Sequence, residues 1–205
     1  MRFSESTHGV SEGSARDALR RATRQVHEAL HHNRFLEPLA SGRIDLPQYR
    51  TILSRLYGFH APLEAAFETA AARLELESVL GPRRRVATLR RDLGEIGFSP
   101  AQIEALPQAS HPPMADPAEF YGAFYVREGS TLGGRLLASR LLNLLPDPAG
   151  RRFLSGRDED PGLWSKLVVR IESDVTQETL PRAISSARAT FAAMERWLDY
   201  TPNTR

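Results

Sequence analysis

Arg20, Arg24, His27 and His31 fall at i, i+4, i+7 and i+11. At about 100° per residue these positions form one narrow polar stripe on a helix. His27 borders the apolar stripe of Leu19, Val26 and Leu30, so its imidazole points at the boundary between core and solvent, with two guanidiniums within two turns. A neutral imidazole can ligate iron, and arginine pairs with carboxylates in bidentate fashion. The stripe suits a metal-bearing apolar cofactor with an anionic rim. It equally suits a boundary histidine on an arginine-rich surface helix. His27, His31 and His32 also offer two imidazoles at the i, i+4 spacing of a zinc site, but without a His-Glu-x-x-His pattern.

A second group has no side chains at all. Gly129, Gly133 and Gly134 lie within a segment that otherwise reads as a helix, where each costs about 1 kcal/mol relative to alanine. Gly129 and Gly133 are four apart and share a face. Such a strip lets a flat or bulky group approach the backbone, lets the helix kink, or lets another helix pack closely. Among the remaining titratable residues, His60 sits mid-helix near Tyr57 and Phe59, either lining a pocket or satisfied in the core. His8 and His111 lie in a tail and a proline loop with no role assigned. Glu172, Asp174, Gln177 and Glu178 read as a solvated face. There is no phosphate-binding Gly-rich loop after a strand, no dinucleotide fingerprint and no Ser-His-Asp motif in a strand-turn-helix setting.

The elements that must position these groups are helices. Apolar residues recur at helical period from Asp17 to about Asn33. Asp45 is the expected N-cap of a helix from Pro47 to about Leu76, which Pro62 should kink. Further helices are expected over Arg83–Glu95, from the capping box at Ser99 to Leu106, from Asp116 through the glycines to about Leu145, from Leu163 to about Thr176 and from Leu180 to Tyr200. Residues 148–156 have room for one or two helical turns. No segment of any length has the period of a strand. The expectation is an all-α single domain of seven to nine helices over residues 15–200, with a disordered tail at 1–14 and a short tail at 201–205.

Composition narrows the function classes. The net charge of +2 over 205 residues argues against a dedicated nucleic-acid binder. The absence of cysteine removes disulfides, thiolate metal sites and cysteine nucleophiles. Residues 1–15 lack an apolar signal-peptide core, and no run of about 18 apolar residues exists to span a membrane. A soluble cytoplasmic protein is expected, without nucleic-acid or membrane partners.

The two features together, Arg-x-x-x-Arg-x-x-His on a first helix and Gly-Ser-x-Leu-Gly-Gly on a later one, give the chain its family likeness. It resembles the heme oxygenases from about Ala15 to Tyr200. The matching pieces are Leu19–His27, Leu53–Glu64, Tyr125–Gly134 and Ala187–Phe191 with Trp197-Leu198. The Glu-Gly-Ser-Thr-Leu-Gly-Gly form is most similar to the bacterial heme oxygenases that accompany bacteriophytochromes. The resemblance implies haem b, both cofactor and substrate, sandwiched between a proximal and a distal helix. On this reading His27 is the ligand to the iron, Arg20 and Arg24 meet the propionates, and Lys166 or Arg170 adds a propionate contact. Gly129 and Gly133 form the distal roof, and Ser130 and His60 serve proton delivery. The implied reaction uses dioxygen and electrons from a reductase or ferredoxin, and gives biliverdin, carbon monoxide and ferrous iron. A bilin-binding bacteriophytochrome is the implied downstream partner. One departure stands out: many heme oxygenases carry an aspartate just after the first distal glycine, where this chain has Ser130. That substitution motivates an alternative, a non-catalytic haem-binding or haem-transfer protein on the same fold. A thiaminase-like activity on a related helical scaffold would need the cysteine this chain lacks, and a helical interaction module would bind no haem.

Overall fold

The computed structural model describes residues 13–158 and 160–199. Among them are ten α-helices and one 3₁₀ turn: α1 (Ala15–His31), α2 (Glu37–Ser41), α3 (Leu46–Leu74), α4 (Glu77–Leu80), the 3₁₀ turn Gly81–Arg83, α5 (Val86–Glu95), α6 (Pro100–Glu104), α7 (Pro117–Arg140), α8 (Arg152–Ser155), α9 (Asp160–Asp174) and α10 (Leu180–Asp199). No strand occurs among the described residues. The all-helical expectation holds, and the count exceeds seven to nine because α2 and α4 are short turns with too few residues to show a period.

Local chemistry sets the starts. Ser14 Oγ accepts the Asp17 N–H at 3.2 Å and begins α1. Asp45 and Gln48 form a reciprocal capping box at α3, and Ser99 and Gln102 another at α6. Asp116 accepts the Glu119 N–H at 3.0 Å to open α7. Helix α3 ends with Glu75 in the left-handed region, φ 59°. Helix α7 stops at Arg140, short of the expected Leu145, because residues 141–144 tighten into turns.

Pro62 lies inside α3, and the helix continues through it. Its missing N–H leaves the Gly58 carbonyl without an intrahelical donor. The N–H of Ala109 takes that carbonyl at 2.9 Å. A Cβ at Gly58 would lie 2.3 Å from the Pro107 carbonyl oxygen and 2.6 Å from the Trp197 ring. The Gly58–Pro62 pair thus serves as the docking seat of the proline loop, and this seat carries His111 to the Phe59 carbonyl, 2.9 Å from its Nε2.

Two apolar clusters share the long helices. One joins α1, the second half of α3, the first half of α7, α9 and α10 around Phe67, Phe120 and Phe124. Phe67 meets the other two rings edge-on at centroid distances of 5.3 and 4.8 Å. Burying each such side chain contributes about 1.5–3 kcal/mol. The other cluster joins α2, the first half of α3, α5, α8 and the end of α7. Helices α1 and α7 pack on α10 and α9 rather than directly on one another.

Candidate functional site

The buried side of α1 runs through Ala15, Leu19 and Thr23 at intervals of four. Thr23 satisfies its hydroxyl by donating to the Leu19 carbonyl at 2.8 Å. One turn further along, His27 is exposed. Its ring meets Phe191 of α10 in a T-shaped contact, centroids 6.1 Å apart. Arg20 and Arg24 are exposed beside it, Arg24 lying 4.0 Å from Glu28. His32 is exposed as well, and the side chain of His31 lies outside the described residues, as does His8. Among the described residues no three His, Asp or Glu side chains converge to hold a metal ion.

The glycines of α7 divide by face. A Cβ at Gly122 would sit 2.1 Å from the Ala183 carbonyl oxygen, and one at Gly134 would sit 2.9 Å from that of Leu154. These two are glycines because α10 and α8 come that close. At Gly133 a Cβ would meet nothing within 4 Å, and at Gly129 only the Trp164 ring, at ordinary contact distances of 3.7 and 3.8 Å. Packing explains Gly134 but neither Gly129 nor Gly133. Leu136, one turn past Gly133 on the same strip, is 62 % exposed, and Val169 of α9 is 67 % exposed. A side-chain-free strip that continues into an exposed leucine is a surface suited to a flat apolar ligand.

Tyr125 ties this strip to α1. It lies one turn before Gly129, half-buried, its ring 5.5 Å from that of Trp164. Burial raises its pKa, while Arg16 and Arg20 of α1 are near enough to oppose the rise. The charges of the first turns of α1 thus act on a residue of the glycine face of α7. On α9, Lys166 is exposed; Arg170 is exposed too, but lies 3.1 Å from Asp174.

Behind the strip, the opposite face of α7 carries a buried ionic network. Arg127 pairs with Glu64 of α3 at 2.8 Å and with Glu128 at 3.2 Å, and Arg83 lies 3.5 Å from Glu128. Arg85 donates to Thr131 Oγ1 at 2.6 Å and to the Phe153 carbonyl. Glu64 also accepts the backbone N–H of Arg85 at 2.7 Å, capping α5. Burial pushes Glu128 upward and Arg83 and Arg85 downward. His60 lines the same small enclosed space with Glu64, Arg85, Arg127 and Phe153. Burial first, then the charges of Arg127 and Arg85, holds its pKa well below the usual histidine value, so the ring is neutral. Ser130 is exposed, and its hydroxyl donates to the Arg127 carbonyl at 2.6 Å. Ser130 and His60 thus sit on different sides of Arg127, which touches one through its carbonyl and shares a pocket with the other through its guanidinium.

Several of these groups were not readable beforehand. Trp164 carries no motif. Arg83 stands in the sequence only as the start of a helix, yet Arg83 and Arg85 are buried, while the Arg84 side chain is half-exposed and pairs with Glu68. Glu172 and Asp174 are not simply solvated: Glu172 accepts two backbone N–H groups of α1, and Asp174 accepts the Tyr121 hydroxyl.

Comparison with known proteins agrees with this geometry. The heme oxygenase family model matches residues 14–200. A curated relative, the heme oxygenase of Xanthomonas campestris pv. campestris strain 8004, is 34% identical over 164 residues, which covers 77% of this chain and 92% of the relative. The solved NO- and CO-bound heme oxygenase of Neisseria meningitidis superposes with a TM-score of 0.71 at 20% identity, covering 93% of this chain and 95% of that one. Heme oxygenase-1 of the cyanobacterium Synechocystis sp. PCC6803, solved with heme, gives 0.68 at 18% identity and 91% coverage of both. At these identities the structural likeness speaks for the fold, and the family model and the curated relative speak for the family. This chain belongs to the heme oxygenase family.

Proposed function

We propose that this chain binds haem b between α1 and α7 and cleaves it to biliverdin, carbon monoxide and ferrous iron, with dioxygen and externally supplied electrons. The observation that carries this reading is the open glycine strip. A Cβ at Gly133 would meet nothing within 4 Å and one at Gly129 only the Trp164 ring at ordinary contact distance, so packing requires neither glycine. The residues present fit a haem. His27 offers an exposed imidazole as ligand to the iron, Arg20 and Arg24 offer guanidiniums to the propionates, and Leu136 offers apolar surface to the ring. Lys166 is the α9 cation left for a propionate, since Arg170 is engaged by Asp174. Bound haem supplies the iron at which dioxygen is activated, and it is also the substrate.

The protein's own part is positional. The Gly129–Gly133 backbone, without Cβ atoms, would let one face of a haem lie close to the helix and would restrict what fits beside it. Ser130 stands where many relatives carry an aspartate, and its exposed hydroxyl can hold a water at the mouth of the strip. His60, neutral and enclosed, cannot donate as an imidazolium. It bears on the site through Arg127, whose carbonyl orients Ser130. No flavin or nicotinamide fingerprint is legible in the sequence, so electrons come from a separate reductase or ferredoxin. The resemblance of Glu128–Gly134 to bacteriophytochrome-associated enzymes supports a bilin-binding photoreceptor as consumer of the product, in the cytoplasm. No helix among the described residues is long and apolar enough to cross a membrane.

One observation favours a second reading. The Ser130 hydroxyl is committed to a main-chain carbonyl, which suits a haem carrier with slow turnover. Haemin titration followed by absorption, with His27→Ala and Gly133→Leu alongside, tests the assignment. The parent should bind one haemin, His27→Ala should lose the axial-histidine spectrum, and Gly133→Leu should impair oxidation more than binding. An unchanged spectrum in His27→Ala would remove the ligand assignment.

A further inference from the structure

Helix α9 touches both walls of the cleft through side chains that its own helix disfavours. Its last turn carries Glu172 and Asp174 and no basic residue. Anions at a helix C-terminus oppose the helix dipole. Both carboxylates are spent on other helices. Glu172 accepts the backbone N–H of Ala15 at 2.9 Å with one oxygen and that of Arg16 at 3.0 Å with the other. Those are first-turn amides of α1, which have no partner within their own helix. Asp174 accepts the hydroxyl of Tyr121 on α7 at 2.5 Å and pairs with Arg170 at 3.1 Å. Burial, and next the bond to Asp174, pushes the Tyr121 phenol up to about 12, so it remains a donor at neutral pH. Leu167 and Ile171 are fully buried and fix the rest of α9. Two residues apart, then, one carboxylate holds the start of α1 and the other holds α7 two turns before Gly129.

We infer that Glu172 and Asp174 are positioning residues that set the spacing of α1 against α7, and so the width of the cleft between His27 and the glycine strip. This rests on the haem reading above for the use of the cleft, but not for the spacing itself. The two bonds are charge-assisted, and α1 and α7 meet mainly through α9 and α10, so removing the carboxylates frees the gap to vary.

The absence of cysteine makes a direct measurement available. Cysteines placed at the exposed positions Gln25 of α1 and Ser139 of α7 carry spin labels, and their distance distribution is measured by pulsed electron resonance with and without haemin. The expected result is a narrow distribution in the parent that broadens in Glu172→Ala/Asp174→Ala. Haemin affinity should fall by about tenfold or more, as loss of a charge-assisted hydrogen bond predicts. The axial-histidine signature should become heterogeneous. Should the double alanine variant fail to fold by circular dichroism, Glu172→Gln and Asp174→Asn keep the shape, remove the charge, and should show the same broadening. An unchanged distribution overturns the inference, as does a broadened one with unaltered haemin affinity and signature. A parent that binds no haemin, with a gap that still widens in the variants, removes the haem reading while leaving the spacing role in place.

Discussion

At Gly122 and Gly133 the same residue type serves opposite ends. Alanine at Gly122 would drive its Cβ into the Ala183 backbone and should destabilise the protein by about 3 kcal/mol. Alanine at Gly133 meets open space and should stabilise it by up to about 1 kcal/mol through helix propensity. Chemical denaturation of both variants checks the contrast; equal effects would mean that Gly133 is also a packing glycine. His60 makes a second residue-scale prediction. Its folded-state pKa is depressed, so its contribution to stability is complete above the unfolded value of about 6.5. That contribution is lost as pH falls, because the unfolded chain takes up a proton that the buried ring refuses. Comparing His60→Gln with the parent from pH 7.5 to 5 should show the parent losing stability faster. Glu128, pushed upward, acts in the opposite sense but is present in both proteins and cancels in the difference.

Among the elements, α3 and α7 carry the site because each spans both apolar clusters. Their starts were legible: Asp45 with Gln48 and Asp116 with Glu119 announce caps that the backbone uses. Asp45→Ala should cost about 1 kcal/mol in urea denaturation and leave haemin binding intact. Glu64 is a harsher case. It caps α5 and pairs with Arg127, so Glu64→Ala leaves that buried guanidinium with Glu128 alone, which Arg83 shares, and should cost about 3 kcal/mol. A loss under about 1 kcal/mol would show that the network is not a structural anchor. Glu64 closes one of the segments that carry the family likeness, but its role was not legible, because its partners come from α5 and α7, distant in the chain. The expected kink at Pro62 told only half of its effect, since the open Gly58 carbonyl is what seats the loop bearing His111. For the same reason α2 and α4, held by tertiary contacts, left no periodic trace.

For the whole molecule, the sequence was most readable where function overrides packing. The Arg20–His27 stripe lies on the exposed side of α1, and the Gly129–Gly133 pair breaks ordinary helix preference without a packing reason. The contacts of Glu172, Asp174 and Trp164 were not readable, because they obey no local pattern and acquire meaning only when the helices assemble. The central claim is that the cleft opens the haem ring. Purified protein with one equivalent of haemin, a reductant, dioxygen and catalase to remove free peroxide should lose its Soret band as biliverdin absorption grows and carbon monoxide is released. A Soret band that persists under these conditions, with haemin bound and His27 in place, would contradict the oxygenase account.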